Sequence, residues 1–358
     1  MPGNQPDFNK TIKKLREALE DYFDRQEGKS LQDLEVIGIS RRSFSVIAFL
    51  KARTSKDLLR LVSKTTIHHP ENIDITEKEN QALIEYNLLK FLHPKFETVE
   101  KCSVPRPILV VPEIETYVME FVEGNLLVDE NRYARYFSSK GKFNTLKEYY
   151  YLCGRWLKHF QEFTGVREET EEALHGVIKR CDSRLRLIED LKDSRCPKIL
   201  RDKVVGFLCD QIKQMNGKKI LVSGRHGDFG SWNILIGQKG VTVVDYLGYG
   251  EDPIVIDILK MLMNFEDEKK YFTNSPTRVE ILRNCFLKGF GTIPFITKPE
   301  LTICETLHRV YSVHSSLSYP GKYLHHRFEK NLCLKANLNW LINSEEKDLL
   351  FPTANIQY

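Results

Sequence analysis

The fold is decided by residues 225–246, which read Arg225-His-Gly-Asp-Phe-Gly-Ser-Trp-Asn-Ile-Leu-Ile-Gly-Gln-Lys-Gly-Val-Thr-Val-Val-Asp-Tyr246. Asp228 and Asn233 share one polar loop, and an apolar hairpin then returns the chain to Asp245. Carboxylate and amide oxygens are hard ligands that suit Mg²⁺, and a carboxylate not bound to metal can accept the proton of a hydroxyl. The stretch can therefore bind a metal and accept a proton, and phosphoryl transfer is one reaction that needs mainly such positioning and charge neutralisation from a protein.

The first 121 residues combine an amphipathic helix with a sheet. Apolar residues recur at three- and four-residue spacing over residues 8–26, which predicts a helix. Runs of apolar residues bounded by turn signals then predict strands, and a helical stretch that stops before His93-Pro94 interrupts them. The predicted strands cover 34–40, 44–52, 58–64, 104–112 and 116–121, and the helix covers 76–92.

Most of the remaining chain has helical periodicity. The predicted helices cover 143–164, 168–192, 199–216, 253–265, 276–289, 298–317 and 327–343, and β-rich segments lie at 220–222, 234–236 and 241–244. The pattern therefore predicts an α+β fold in three parts. These are an N-terminal helix at 1–30, a small sheet lobe with one key helix at 31–121, and a larger, mainly helical lobe at 122–358.

Composition excludes several classes of protein. The 358 residues carry an interspersed net charge of only +4, which does not indicate a nucleic-acid partner. None of the eight cysteines forms a CxxC pair, so zinc and thioredoxin sites have no support. No apolar run reaches the roughly 18 residues of a membrane-spanning helix, and the N-terminus lacks the apolar run of a secretory signal. We therefore expect a cytoplasmic protein with reduced thiols and no membrane span.

The pattern His-Gly-Asp-x4-Asn at 226–233, followed by an apolar strand and Asp245, resembles the aminoglycoside phosphotransferase and choline kinase superfamily, which is similar to protein kinases. The resemblance covers roughly residues 35–265 and implies a bilobal, protein-kinase-like fold with ATP and Mg²⁺ as cofactors. It also implies that Asp228 is the catalytic base and that Asn233 and Asp245 bind the metal.

The same resemblance implies supporting roles for other residues. His226 would support the catalytic loop, and Asp257 would hold the backbone of that loop. Glu85 lies in an E-xxx-L-xx-L helix and would fix a cation of the third strand against the α- and β-phosphates. That cation is either Lys64 or Arg60, which share one face of the strand. A compact ammonium is the commoner phosphate partner here, which favours Lys64.

Residues 117–124 resemble the interlobe hinge of the superfamily, which binds adenine through main-chain hydrogen bonds. This resemblance implies adenine contacts from the Glu120 carbonyl and the Val122 N–H, with Met119 lining the back of the pocket.

The phosphate loop at residues 38–44 departs from the pattern because it holds one glycine and no GxGxxG. Glycines let a backbone approach phosphate closely. The hydroxyls of Ser40 and Ser43 would replace some of those contacts, as in serine-bearing loops of the superfamily. The departure leaves open the nucleotide affinity and the choice between ATP and GTP.

The resemblance implies an ATP-dependent phosphotransferase that acts on a hydroxyl of a small molecule, such as a sugar, an aminoglycoside-like compound or an amino alcohol. Two alternatives stay open. The glycine-poor phosphate loop fits a catalytically weak, pseudokinase-like nucleotide-binding module. An atypical protein kinase is the other, although Tyr246-Leu247 stands where protein kinases carry Phe-Gly. Some aromatic residues of the last third either line an acceptor pocket or are ordinary helix positions: His308, Tyr311, His314, Tyr319, Tyr323, His325 and His326.

Overall fold

A computed structural model describes residues 8–42, 44–67, 80–133, 139–271, 274–292, 296–319, 323–343 and 349–350. The chain divides into two compact units, the first formed by residues 1–124 with 242–247 and the second by residues 125–241 with 248–358. The fold is α+β, as predicted from the sequence. No helix among the described residues is long and apolar enough to cross a membrane.

The first unit is a five-stranded antiparallel sheet with two helices. Its helices are α1 (Phe8–Glu27) and α2 (Gln81–Phe96), and its strands are β1 (Leu31–Arg41), β2 (Ser45–Thr54), β3 (Leu58–Thr66), β4 (Cys102–Ser103), β5 (Pro107–Val111) and β6 (Thr116–Glu120). The sheet has the order β1-β2-β3-β6-β5, and β4 lies outside it. Each pair of neighbouring strands is antiparallel.

The N-terminal helix belongs to the core of this unit. Leu15, Leu19 and Phe23 of α1 recur at four-residue spacing and are almost fully buried. They pack in one apolar cluster with residues of the sheet, such as Leu50 and Val118. A helix that buries such a stripe on a sheet is held by tertiary packing more than by its own propensity.

The α2 helix runs through Pro94, so the predicted stop before His93-Pro94 is wrong. Its N-cap is Asn80, whose side-chain oxygen accepts the Leu83 N–H at 3.0 Å, and the earlier part of the predicted helix, 76–79, lies outside the described residues. Pro94 falls in the last turn, where a missing N–H removes only one helical hydrogen bond. Burial of Phe96 beyond it offsets that loss.

The second unit is mainly helical. Its helices are α3 (Leu127–Tyr133), α4 (Lys140–Thr164), α5 (Ala173–Asp190), α6 (Leu200–Lys213), α7 (Val255–Lys269), α8 (Pro276–Phe290), α9 (Lys298–Ser318) and α10 (Leu324–Ile342). Its strands are β7 (Asn125–Leu126), β8 (Arg167–Thr170), β9 (Lys219–Arg225), β10 (Ile234–Gly237) and β12 (Gly250–Pro253), while β11 (Gly240–Val243) continues from the second unit into the first. A three-stranded sheet has the order β12-β9-β8.

The predicted helix at 168–192 begins later than expected, because its first residues form β8. Glu168 pairs with Leu221 of β9 in an antiparallel register. Arg167 makes a two-pronged ion pair with Glu251 of β12, at 2.8 and 2.7 Å. The pairing partner lies about fifty residues downstream, so local periodicity gives no sign of it.

One buried carboxyl should make the stability of the second unit depend on pH. Glu300 in the first turn of α9 is 3% exposed, and its N–H donates to Thr297 Oγ1 at 3.3 Å. Burial raises the pKa of Glu300 from 4.5 to about 7, although a hydrogen bond with the Thr297 backbone opposes the shift. Between these two pKa values the folded protein holds a proton that the unfolded chain releases. Stability therefore falls as the pH rises from about 4.5 to about 7.

We expect Glu300→Gln to raise the free energy of unfolding at pH 8 by as much as about 3 kcal/mol, because the amide has no proton to lose. At pH 5 the variant and the parent should be nearly equal in stability. Urea denaturation at the two pH values measures this, and an equal difference at both would contradict the assignment.

Candidate active site

The loop between β9 and β10 is held by a carboxylate from the next helix. Asp257, in the first turn of α7, accepts the His226 N–H at 2.6 Å and the Gly227 N–H at 3.0 Å. The side chain is almost fully buried, and burial raises the pKa of Asp257 although the two N–H groups oppose that shift. Asp257 thus holds the loop backbone, as predicted.

His226 is fully buried and supports the same loop. Its Nδ1 accepts the backbone N–H of Asp228 at 3.3 Å, and its ring packs edge-on against Trp156 and Phe229. Both ring contacts are with large buried side chains of the second unit. The position of the Asp228 main chain therefore depends on the buried ring of His226 and on Asp257 at the start of α7.

Gly227 is a position where the loop tolerates no side chain. Its φ is +88°, and an added Cβ would lie 2.4 Å from the Gly248 carbonyl oxygen. That oxygen already accepts a hydrogen bond from Arg225 Nε at 2.9 Å, so it is not free to move away. Both the conformation and the space require glycine here.

Gly227→Ala should therefore lower the free energy of unfolding by more than the roughly 1–2 kcal/mol that a positive φ alone costs. The control is Gly217→Ala, since Gly217 has a φ of +72° but open space around its Cβ position. Chemical denaturation of the two variants separates the backbone cost from the clash. If Gly227→Ala and Gly217→Ala were equally destabilised, Gly248 would have moved to make room for the added methyl group.

Both oxygens of the Asp228 carboxylate have partners in the second unit. Oδ1 lies 3.0 Å from Lys260 Nζ, and Oδ2 accepts from Trp232 Nε1 at 2.7 Å. Burial alone would raise the pKa of Asp228, but the Lys260 cation and the Trp232 hydrogen bond outweigh it and the pKa is lowered. The side chain nevertheless keeps 45% of its surface accessible, so the ionised carboxylate can be reached from solvent.

Asn233 faces the same carboxylate through its amide nitrogen. Nδ2 donates to the Asp228 carbonyl oxygen at 3.0 Å and to Asp228 Oδ2 at 3.1 Å. Because the nitrogen makes both contacts, the side-chain oxygen Oδ1 is the atom left to act as a ligand. This orientation fits a hard cation such as Mg²⁺.

Asp228 lies on the wall of a cavity of about 460 Å³ in the second unit. Trp232 and Lys260 also line it, together with residues of α7, α9 and α10. The polar lining residues contributed by these helices include Asn264, Asp267, Glu268, Ser312, Ser315 and Lys330. A cavity of this size with a few placed polar groups suits a small polar molecule.

His308 lines the cavity as a neutral hydrogen-bond acceptor. Its Nε2 lies 2.7 Å from the Ile256 carbonyl oxygen and must donate to it, which leaves Nδ1 unprotonated. Burial, aided by the Lys260 cation, lowers the pKa of His308 to about 3. Among the described residues Nδ1 has no hydrogen-bond partner.

A second group of candidate residues lies in the first unit. Lys64 Nζ on β3 lies 2.8 Å from both carboxylate oxygens of Glu85 and 2.5 Å from Asp245 Oδ1. Burial alone would lower the pKa of Lys64, but the two carboxylates raise it and the ammonium stays charged. Glu85 is fully buried and also accepts from Tyr117 Oη at 3.1 Å and from the Tyr246 N–H at 3.0 Å.

Arg60, the alternative cation, has a different environment. It is exposed, stacks 3.8 Å from the centre of the Phe121 ring and pairs with Glu123 at 3.1 Å. The structure therefore brings Glu85 together with Lys64, and places Arg60 beside the predicted hinge.

The other predicted nucleotide-binding residues also lie in the first unit. Ser40 is on β1 opposite Ile47, and Ser43 lies outside the described residues. Met119 and Glu120 end β6, with Met119 buried. In the part of the chain that the structure describes, the Val122 N–H has no hydrogen-bond partner.

Sequence reasoning missed Lys260 and Trp232 as contacts of Asp228. A signal for Lys260 was present, because residues three apart share a helix face and Asp257 had already been assigned to the loop. Trp232 lies inside the quoted motif, but nothing in its spacing shows that the indole N–H turns back to the carboxylate. The sequence is compatible with two interpretations of His308, and the structure places it on the cavity wall.

The chain has the fold of solved aminoglycoside phosphotransferase structures, in agreement with the resemblance. A candidate aminoglycoside phosphotransferase from Ralstonia eutropha is similar to this chain with a TM-score of 0.58 and 14% identity, covering 92% of this chain and 99% of the other. A thermostable mutant of an aminoglycoside phosphotransferase has a TM-score of 0.52 and 11% identity, covering 89% of this chain and 98% of the other. A glucosamine kinase has a TM-score of 0.51 and 15% identity, covering 90% of this chain and 80% of the other. No family model and no curated protein matches the sequence. At such identities the likeness shows the fold.

Proposed function

We propose that this protein is an ATP-dependent phosphotransferase that moves the γ-phosphoryl group to a hydroxyl of a small molecule, such as a sugar, an aminoglycoside-like compound or an amino alcohol. The observation that carries the proposal is the ionised Asp228 carboxylate on the wall of the 460 Å³ cavity. A carboxylate there can accept the proton of a hydroxyl whose carbon skeleton fills the cavity.

The proposed roles follow from the contacts of each residue. Asp228 is the general base, and Trp232 and Asn233 hold one of its oxygens while Lys260 holds the other. Asn233 and Asp245 are the proposed metal ligands, and bound Mg²⁺ would neutralise charge on the phosphate oxygens.

The nucleotide is assigned to residues of the first unit. Lys64, held by Glu85, would bind the α- and β-phosphates, since its ammonium is charged and already faces carboxylates. Ser40 and Ser43 are the proposed phosphate-loop contacts. The adenine would contact the Glu120 carbonyl, the Val122 N–H and the Met119 side chain.

The test is phosphate transfer from γ-labelled ATP with Mg²⁺ to a panel of sugars, amino alcohols and aminoglycosides, with products identified by mass. We expect a mass gain of one phosphate on a member of the panel. Stabilisation of the protein by Mg·ATP in a thermal-shift assay, without transfer to any acceptor, would favour the weak nucleotide-binding module. Transfer to protein substrates alone would favour the atypical protein kinase.

A further inference from the structure

The contacts of the Lys260 ammonium go beyond support of the catalytic loop backbone. It lies on α7 three residues after Asp257, and its side chain is 20% exposed. Its ammonium lies 3.0 Å from Asp228 Oδ1 and 5.3 Å from the centre of the Trp232 ring. Within the described residues Asp228 is its one carboxylate partner at ion-pair distance.

The other charged groups near this end of the cavity have hydrogen-bond or ion-pair partners of their own. Asp267 pairs with Lys270 at 3.1 Å, and Glu268 accepts from Asn131 Nδ2 at 3.1 Å. Lys330 is bound to main-chain carbonyl oxygens of α9 and Tyr319.

The remaining neighbours of Lys260 supply no second negative charge. His308 is neutral and donates to a backbone carbonyl, and His226 is engaged with the backbone of the catalytic loop. Arg180 forms an ion pair with Asp252 at 2.6 Å. The charge of Lys260 is therefore balanced by the carboxylate of the proposed base alone.

We propose that Lys260 is a catalytic residue that exchanges its counter-ion during the reaction, leaving Asp228 and binding an oxygen of the transferred phosphoryl group. This inference rests on the proposed function. In the transfer, the acceptor O–H bond breaks and its proton passes to Asp228. An O–P bond forms to the γ-phosphorus, and the bond to the bridging oxygen breaks with its electron pair leaving on ADP.

The charges before and after that step explain the exchange. Once Asp228 carries the proton, Lys260 has lost its anionic partner, while its own side chain is only 20% exposed. The phosphorylated acceptor has gained negative charge at the same place, next to the oxygen that gave up its proton. A cation 3.0 Å from the base is therefore in position to bind the new phosphate ester.

A binding experiment without nucleotide or metal tests the exchange. Asp228→Asn imitates the protonated base, so Lys260 loses its carboxylate and should bind inorganic phosphate at least 10-fold more tightly than in the parent protein. Adding Lys260→Met to Asp228→Asn should abolish that gain. Calorimetric titration of the full chain with orthophosphate gives the affinities, and Lys269→Met added to Asp228→Asn is the matched control on the same helix, expected to keep the gain.

Equal phosphate affinity of Asp228→Asn and of the Lys260→Met double variant would overturn the proposal. In turnover with an acceptor found by the panel, Lys260→Met should lower kcat by about 100-fold with the KM for ATP changed less than about 2-fold, and Lys260→Arg should restore part of kcat. A rise in KM alone would also overturn it. Because the titration uses no ATP, it decides the role of Lys260 even if no acceptor in the panel is phosphorylated.

Discussion

Asp228→Asn should reduce turnover by a factor on the order of 10²–10⁴ while Mg·ATP still binds with near-parental affinity. The amide has nearly the shape of the carboxylate, but its single oxygen keeps either the contact with Trp232 or the contact with Lys260, because these donors bind different oxygens of Asp228. It has no lone pair with the basicity to take a hydroxyl proton. The measurements are steady-state phosphate transfer and calorimetric titration with Mg·ATP.

The control for this variant is Asp210→Asn, because Asp210 lies on α6 and its side chain is 69% exposed. Its turnover should match that of the parent. If Asp228→Asn turned over at the parental rate, Asp228 would not be the base, and the proposed function would lose the observation that carries it.

Glu85→Gln should weaken the use of Mg·ATP by a factor of about 100 in kcat/KM, equivalent to about 3 kcal/mol. The amide removes one of the two carboxylates that balance the buried Lys64 ammonium. Lys64 would then rely on Asp245 alone, and a proposed metal ligand would be committed to the lysine. The rate should be measured over a range of ATP concentrations at saturating acceptor.

Glu97→Gln is the matched control, since Glu97 caps the other end of α2 and its side chain is 67% exposed. Unfolding curves of both variants are needed, because loss of the buried charge also removes stability from the first unit. An unchanged kcat/KM in a folded Glu85→Gln protein would remove Lys64 and Glu85 from nucleotide binding.

The elements of the fold follow from local pattern to a large extent. Strands β1, β2 and β3 fall where apolar runs between turn signals predict them, and α8, α9 and α10 fall where helical spacing predicts them. Predictions from local sequence pattern were wrong where contacts with distant residues determine the structure. The β8 strand exists because β9 lies beside it, and α2 continues past Pro94 because burial outweighs one lost hydrogen bond.

The candidate site shows the same division. The loop carboxylate and amide were predictable, because their chemistry and spacing carry the signal. The orientation of Asn233 and the approach of Lys260 to Asp228 depend on how α7 packs beside the loop. Such a contact between distant residues leaves no local pattern in the sequence.

The α7 helix both supports the loop that carries Asp228 and lines the cavity, so these two properties are difficult to change separately. Its first turn anchors the loop through Asp257, and Lys260 follows one turn later beside the proposed base, Asp228. The next turns supply Met263, Asn264 and Asp267 to the cavity wall. If the proposed function is correct, we expect a library that varies residues 263–267 to change turnover along with the compounds that bind, because the same helix holds the loop and Lys260. Selection for a new acceptor should then recover compensating changes outside α7, on α9 or α10, more readily than within it.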